Sequence, residues 1–517
     1  MKMKIFYKMT LVLVAAMTLA TSAFAGGTLT NSNQSASFLR SIARGTSLDP
    51  DAVYNNPAGV VFMANGFHLG LNDQMAKQTR TITSTYAPFA LGNNGLDTKE
   101  FKGEVFSPLI PSVHFAWKHN RWAIMAGMGV NGGGGSLEFN NGLPSFERQF
   151  SVLPQGMQAL GVNATGYGMD MYLMGKSMTL AFNAGVAFRI TDWLSVAAQI
   201  RYSTTNNSYT GHMKNISVNV GGQMTPATAV LGQANANLQA QYQQYSAQFE
   251  QYNAMYQQLV AAGMGNSAQA QQLQGALTQL QGGLAKLQGG MQTVGENIVK
   301  TSDHILDIKQ KGTSISPVVA LAFHKGKWDA SIKYEFKMAT ELEIESADVS
   351  ANDRVINSIF PNGAKIKSET PALLAVAVSR HFGPVKVTAE WHEYFDKNAE
   401  NSFSPAVEGN TMEYLLGAEW QLSKRWLLSA GFQRTSYDLN PAAYSDMNFT
   451  NSSYSVAFGA AFNITERIRL NAGVMPTFYD AVTNTAVDPA SGLKFTDVFD
   501  RTSISWGFGL DFHFGRK

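Results

Sequence analysis

The 517-residue chain contains no cysteine. That excludes a disulfide framework, thiolate metal ligation and a lipoprotein anchor, and it is compatible with folding by a periplasmic route. Beyond the leader described below, no window holds 18 uninterrupted apolar residues, so helical membrane spans are excluded. An excess of one charge is missing too. Taking three leader lysines from the 39 Lys+Arg leaves 36 against 37 Asp+Glu, which gives no ground for nucleic-acid binding. A His-Glu-x-x-His helix and a phosphate loop are likewise absent. His392 and His513 have no recognisable nucleophile or orienting partner, so an enzyme is the weakest class; no reaction, metal or cofactor is assigned.

What is present is alternation. From Ser503 to Phe514, Ile504, Trp506, Phe508, Leu510, Phe512 and Phe514 occupy one face of a strand, with Ser503, Ser505, Gly507, Gly509, Asp511 and His513 on the other. A wholly apolar face needs an apolar partner, either a second sheet or lipid. The N-terminus favours lipid. Lys2, Lys4 and Lys8, an apolar run from Met9 to Ala20, and Ala23-Phe24-Ala25 read as a secretory signal peptide over residues 1–25. Export, 47 glycines and alternating aromatic segments together are the signature of a transmembrane β-barrel.

Six short connections, around His119-Asn120, Thr191-Asp192, Lys325-Gly326, Gly383-Pro384, Ser423-Lys424 and Thr465-Glu466, each join two alternating runs. The pairs run Ile110–Lys118 with Arg121–Val130, Ser177–Ile190 with Trp193–Thr204, and Ser316–His324 with Lys327–Lys337. Three more follow: Pro371–His381 with Val385–Phe395, Thr411–Leu422 with Arg425–Ser436, and Ser453–Ile464 with Arg467–Pro476. With a first strand near Gly66–Met75 and the last strand, about fourteen antiparallel strands are expected. Strands 1–5 then occupy 66–204 and strands 6–14 occupy 314–517. Trp117, Trp122, Trp193, Trp328, Trp420 and Trp426 gather near the tight turns, as an interfacial girdle would. The opposite face mixes charged residues with Met125, Val318, Ala320, Leu373 and Leu415. An open aqueous porin does not need such a lining; a packed plug or a passage for greasy ligands does.

Residues 26–65 precede the first strand and show little alternation. Within them, Gln34-Ser35-Ala36-Ser37 and the run Asp51-Ala52-Val53-Tyr54-Asn55-Asn56-Pro57-Ala58-Gly59 resemble the hatch of the FadL family of outer-membrane transporters for long-chain fatty acids and other hydrophobic compounds. The family's Asn-Pro-Ala triplet matches Asn56, Pro57 and Ala58. More diffusely, Asn183 to Val196 is similar to a strand-turn-strand of that family, and fourteen is also the family's strand number. Gly515, Arg516 and Lys517 depart from the usual terminal aromatic residue.

The resemblance implies passive transport across the outer membrane of a Gram-negative bacterium through a plugged barrel, with lateral release at a kink in the third strand. It also implies, as partners, a fatty acid or other hydrophobic ligand, outer-membrane lipid and, during biogenesis, the barrel-assembly machinery. Here the third strand runs into Gly132, Gly133, Gly134 and Gly135, which either border the lateral opening or begin an external loop. Arg201, Lys333 and Lys337 are the candidate lumenal anchors for a carboxylate, or else partners of an acid such as Glu335.

Residues 205–313 exceed any ordinary loop. Leu231, Leu238, Tyr245, Tyr252 and Leu259 share one heptad position, with Tyr242, Phe249 and Tyr256 on the other. Leu273, Leu280, Leu287 and Val294 alternate with Leu277, Leu284, Met291 and Ile298 beyond a break at Gly263-Met264-Gly265-Asn266. This spacing predicts an extracellular antiparallel coiled-coil hairpin over about 231–299. An adhesin or receptor acting through that hairpin, touching an extracellular partner, is the alternative function.

Overall fold

In hydrocarbon, each strand must find two neighbours or leave a row of backbone groups unsatisfied. The computed structural model describes residues 35–400, 407–440, 444–446, 449–489 and 491–515; the predicted signal peptide lies outside these. Among them, eighteen ladder segments make one continuous antiparallel sheet. Three wall strands are each broken into two segments, and one short segment, Gln223–Pro226, folds back on the end of the strand before it, so the barrel has fourteen strands. They are β1 (Gly66–Tyr86), β2 (Thr98–His119), β3 (Trp122–Phe139), β4 (Ala164–Arg189), β5 (Leu194–Val220) and β6 (His304–Lys325). Then come β7 (Trp328–Glu335 and Glu341–Ser346), β8 (Lys365–Lys367 and Leu373–Phe382), β9 (Val385–Tyr394) and β10 (Thr411–Gln421). The last are β11 (Trp426–Ser436), β12 (Ser453–Asn463), β13 (Ile468–Tyr479 and Val482–Val487) and β14 (Lys494–His513). Each pairs with its neighbours in sequence, and β14 closes the ring on β1 from His68↔His513 to Tyr86↔Phe495.

All six tight turns join the strand pairs the alternation marked. Asn120 (φ 52°), Gly326 (φ 65°) and Gly383 (φ 61°) occupy the left-handed conformation that such short reversals demand. The outward faces carry a belt of exposed apolar side chains, including Phe67, Phe182, Ile200, Ile332, Leu416, Phe458 and Phe508. Trp122, Trp328, Trp420 and Trp426 are exposed at its tight-turn rim. A closed ring with such a belt is a membrane-spanning wall.

Several strands run well past their predicted ends. β5 continues from Thr204 to Val220, β6 starts at His304 rather than near 314, and β1 reaches Tyr86. The reason is an exchange of faces. Low on β5, Val196, Ile200 and Tyr202 point out and Gln199 and Arg201 point in. Higher up, Thr204, Asn206 and Ser208 point outward, while Tyr209, Met213 and Val218 are buried. The strand leaves the belt near Tyr202, and its inner face joins an apolar cap built from Ile82, Phe89, Phe101, Phe139, Phe449 and Phe499 with helix Pro144–Ser151.

The 205–313 connection is therefore shorter than read from sequence. It holds helices Ala227–Ala261 and Ala268–Lys300. They pack antiparallel, with Leu238 against Gly290 and Tyr245 against Gly283. Leu231 and Val294 at their base belong to the apolar cap, whereas Tyr245, Met255 and Val260 further out are exposed. No described helix is long and apolar enough to cross a membrane.

Ile200, 61% exposed within the belt, provides the check on its position. An Ile200→Arg substitution is expected to destabilise the barrel by about 2–4 kcal/mol in reversible refolding into lipid vesicles. Asn206→Arg, beyond the belt on the same strand face, is expected to change stability little.

Candidate functional site

A short helix, Ala36–Ser41, opens the described chain and is capped by Ser35, whose hydroxyl accepts from the Phe38 N–H at 3.1 Å. It lies on bare wall. A Cβ at Gly431 would sit 2.5 Å from the Ser41 carbonyl oxygen, and one at Gly473 would sit 2.6 Å from the Arg40 nitrogen, so only glycine admits this approach. A second piece, helix Ala52–Asn55 followed by a 3-10 turn over Pro57–Phe62, packs Ala52, Val53, Ala58, Val60 and Val61 against the small lumenal residues Ala116, Ala123, Ala187, Ala197 and Ala320. The mixed lining read from sequence thus faces a packed segment at the tight-turn end.

Asn56, Pro57 and Ala58 are all buried in that segment. Pro57 takes the first position of the 3-10 turn, where its missing N–H costs nothing. Asn56 spans the junction: its Oδ1 accepts from the Gly59 N–H at 3.2 Å and its Nδ2 donates to the Ser47 carbonyl at 3.0 Å. The Ala58 carbonyl accepts from Ser195 on β5 at 2.6 Å.

Charge holds the two pieces together. Arg44 reaches Asp51 at 2.8 Å, Asp49 at 3.0 Å and, across the lumen, Glu419 of β10 at 3.1 Å. Arg40 also binds Glu419, at 2.7 Å, and Arg469 of β13 binds Asp49 at 3.1 Å. Burial disfavours charge on Asp51, and Arg44 more than reverses this, so the Asp51 carboxyl's pKa lies below its ordinary value.

Arg201 and Lys333 converge on this plug. Arg201 pairs with Glu335 and donates to Asn183 Oδ1 at 2.8 Å; Lys333 reaches Glu335 at 2.8 Å and donates to the Tyr54 carbonyl at 3.1 Å. Both cations lie 4.9 Å from the centre of the Tyr54 ring. Lys337 pairs with Glu369 at 2.7 Å. His392, which showed no partner in sequence, lies between Glu390 at 2.7 Å and Glu413 at 2.8 Å, and His513 faces His68 at 2.9 Å. Pairing of β9 with β10 brings His392 to Glu413, and closure of the ring brings His513 to His68.

The glycine run does not begin a loop: β3 continues through it to Phe139. The wall changes character there. β2 and β3 pair over Gly103–Val105 with Leu137–Phe139 and over Val113–His119 with Trp122–Met128, but the ladder between them lapses over 106–111 and 131–136. On its other side β3 keeps β4, through register shifts at Val130/Gly132 and Gly133/Gly135. Gly133 has φ +67°, and a Cβ there would meet the Ser177 carbonyl at 2.2 Å. Across this seam a Cβ at Gly135 would lie 3.6 Å from that of Ser107 and closer still to its hydroxyl, so Ser107 fills the space beside Gly135. Asn131, set out of register beside the glycines, accepts a 2.9 Å hydrogen bond from the Tyr54 hydroxyl of the plug. The ladder also breaks between β6 and β7 near Pro317, but there the Phe336 N–H donates to the Pro317 carbonyl and Met338 bridges Thr370.

Behind the seam lies a lumenal cavity of about 290 Å³. Its lining includes Ser107, Gly133 and Gly135 at the seam, Phe38 from the plug, and a polar wall containing Gln78, Arg80, Glu413, Ser453, Thr477 and Arg501. Arg201, Lys333 and Lys337 do not line it. Arg80 and Arg501 were missed because β1 was read as ending at Met75 and β14 as starting at Ser503. Extending the final alternation by two residues puts Arg501 on the face of Ser503 and Ser505.

No protein-family model and no curated protein matches the sequence. Solved structures do resemble it. A Pseudomonas aeruginosa FadL homologue aligns over 94% of this chain and 99% of its own, at 13% identity and a TM-score of 0.57. The chain has the FadL-type fold. The toluene transporter TodX of P. putida aligns over 91% of this chain and 95% of its own, at 13% identity and a TM-score of 0.49.

Arg44 is the residue on which the plug's ion network turns. Arg44→Gln leaves Asp51 and Glu419 short of a buried counter-charge, a loss of about 3–5 kcal/mol. New protease cuts within 35–65 of an otherwise intact, membrane-embedded barrel are the expected readout.

Proposed function

We infer that this protein carries long-chain fatty acids or other hydrophobic small molecules passively across the outer membrane of a Gram-negative bacterium, releasing them sideways into the lipid. The single observation that supports this best is the seam: a lapse in the β2–β3 ladder over 106–111 and 131–136, backed directly by a cavity and tied by Asn131 to the plug. The FadL-type fold supports the same reading. In it, the long-loop end faces outward, the tight turns face the periplasm, and the plug bars a straight aqueous passage. Lateral exit is the lower-energy route for an apolar cargo. Each methylene kept out of water is worth about 0.8 kcal/mol, which a path into the periplasm forfeits. The plug acts on the exit through Tyr54: moving helix Ala52–Asn55 withdraws the hydroxyl that Asn131 accepts, freeing the strand at its bulge.

The chain's lack of cysteine makes the test clean. A Ser107→Cys/Gly135→Cys pair has Cβ atoms about 3.6 Å apart, within the range a disulfide tolerates. In cells lacking their own transporter, the oxidised variant is expected to lose uptake of labelled oleate and of labelled toluene, and a reductant to restore it. Unchanged uptake with the disulfide fully formed overturns the lateral route. No uptake of either compound by folded wild-type protein overturns transport itself. Deleting residues 239–289, which spares Leu231 and Val294 at the base of the helical hairpin, is expected to leave uptake largely intact; its abolition favours the hairpin as the working part.

A further inference from the structure

β1 and β14 meet only because the barrel closes, and their register sets Arg80 directly opposite Arg501. Side chains so placed have Cβ atoms about 4.5–5.5 Å apart, and like charges there repel. Both arginines line the cavity behind the seam. Arg501 is buried, at 8% exposure, its Nε is without a hydrogen-bond partner, and among the described residues it makes no ion pair. Its guanidinium lies 4.5 Å from the centre of the Tyr479 ring, and that of Arg80 lies 5.4 Å from the Phe449 ring while its Nε donates to Gln78 at 3.1 Å. The other charged residue in the lining is Glu413. It is already engaged: Oε2 accepts from Tyr394 at 3.1 Å and contacts His392 at 2.8 Å, and Oε1 accepts from Gln433 and Thr435 at 2.8 and 3.1 Å. The cavity therefore carries a net positive charge at one cross-strand pair. Much of the remaining lining is hydroxyl and amide, groups that a pure hydrocarbon would strip of water without replacing its bonds.

We propose that Arg80 and Arg501 form the head-group site for an anionic amphiphile, with a carboxylate, sulfate or phosphate ester held between the two guanidinia and the tail directed toward Ser107 and Gly135. This names the cargo class within the transport reading and rests on it. An anion there relieves the repulsion between the arginines. The volume, near the lower end of the ~300–1,000 Å³ typical of small-molecule sites, holds a head and the start of a chain. Toluene-like cargo has nothing to offer the pair.

The test is equilibrium binding of radiolabelled dodecanoate, dodecyl sulfate and dodecanol to the purified barrel in neutral-detergent micelles. The wild type is expected to bind both anions at least about tenfold tighter than the alcohol, the scale of one charge-assisted hydrogen bond. Arg80→Gln and Arg501→Gln are each expected to lose most of that preference with dodecanol binding unchanged, and Arg501→Lys to keep part of it. Unboiled electrophoretic mobility verifies that each variant is a folded barrel, and the wild-type preference needs no variant. Equal affinity for acid and alcohol overturns the head-group site while leaving seam-dependent uptake untouched. Failure of the disulfide experiment, with the anion preference intact, overturns the exit route instead.

Discussion

Everything here follows from the need to satisfy backbone N–H and C=O groups where no water can do so. A sheet meets that need only by closing, so the first strand must find the last across more than 400 residues of chain. The β1–β14 ladder does this over nineteen residue pairs. Closure then dictates the rest: an apolar face outward, a polar face inward, and a lumen too large to be filled by wall side chains alone. The plug fills its lower part. Its helix rests on glycine and its 3-10 turn on alanine because a filled wall has no space for it, and its charges are neutralised by acids and cations that the wall supplies.

Against that background the seam between β2 and β3 is costly and localised. Residues 131–136 have no ladder partner on β2 at a depth where Phe106 and Leu109 stand exposed on the outer surface. Such a cost persists in a fold only where neighbouring structure imposes it. Here the imposing elements are visible: a left-handed Gly133 pressed on the Ser177 carbonyl, the out-of-register Asn131 tied to Tyr54, and the β1–β2 bulge at Gln74/Ala76 that offsets β2 on its far side.

Much of this architecture was legible in the sequence. Period-2 alternation located the six tight turns between wall strands and the strand total because, inside the apolar belt, one face is forced to be greasy; the Gly221-Gly222 hairpin above the belt was not located. Strand tops were not legible, since above the belt β5 turns its greasy face inward and the greasy-outside pattern ends near Thr204. The Asn56-Pro57-Ala58 turn was recognised through resemblance rather than periodicity. The cations were harder. Arg201 and Lys333 carry the right alternation, yet whether they face a cavity or a plug depends on tertiary packing that alternation does not encode. Arg80 and Arg501 acquire their meaning only from being opposite each other, a relation created by closure and absent from either strand alone.

The exchange of faces along β5 has a mechanical corollary. A strand greasy outside throughout could slide along the membrane normal with little resistance, because one apolar residue would replace another at each level. β5 cannot do so. Sinking drags Thr204 and Asn206 into hydrocarbon, and rising lifts Ile200 into water. The polarity crossover near Tyr202 therefore acts as a waterline, and with it the height at which the long helices stand above the lipid is set by the wall itself.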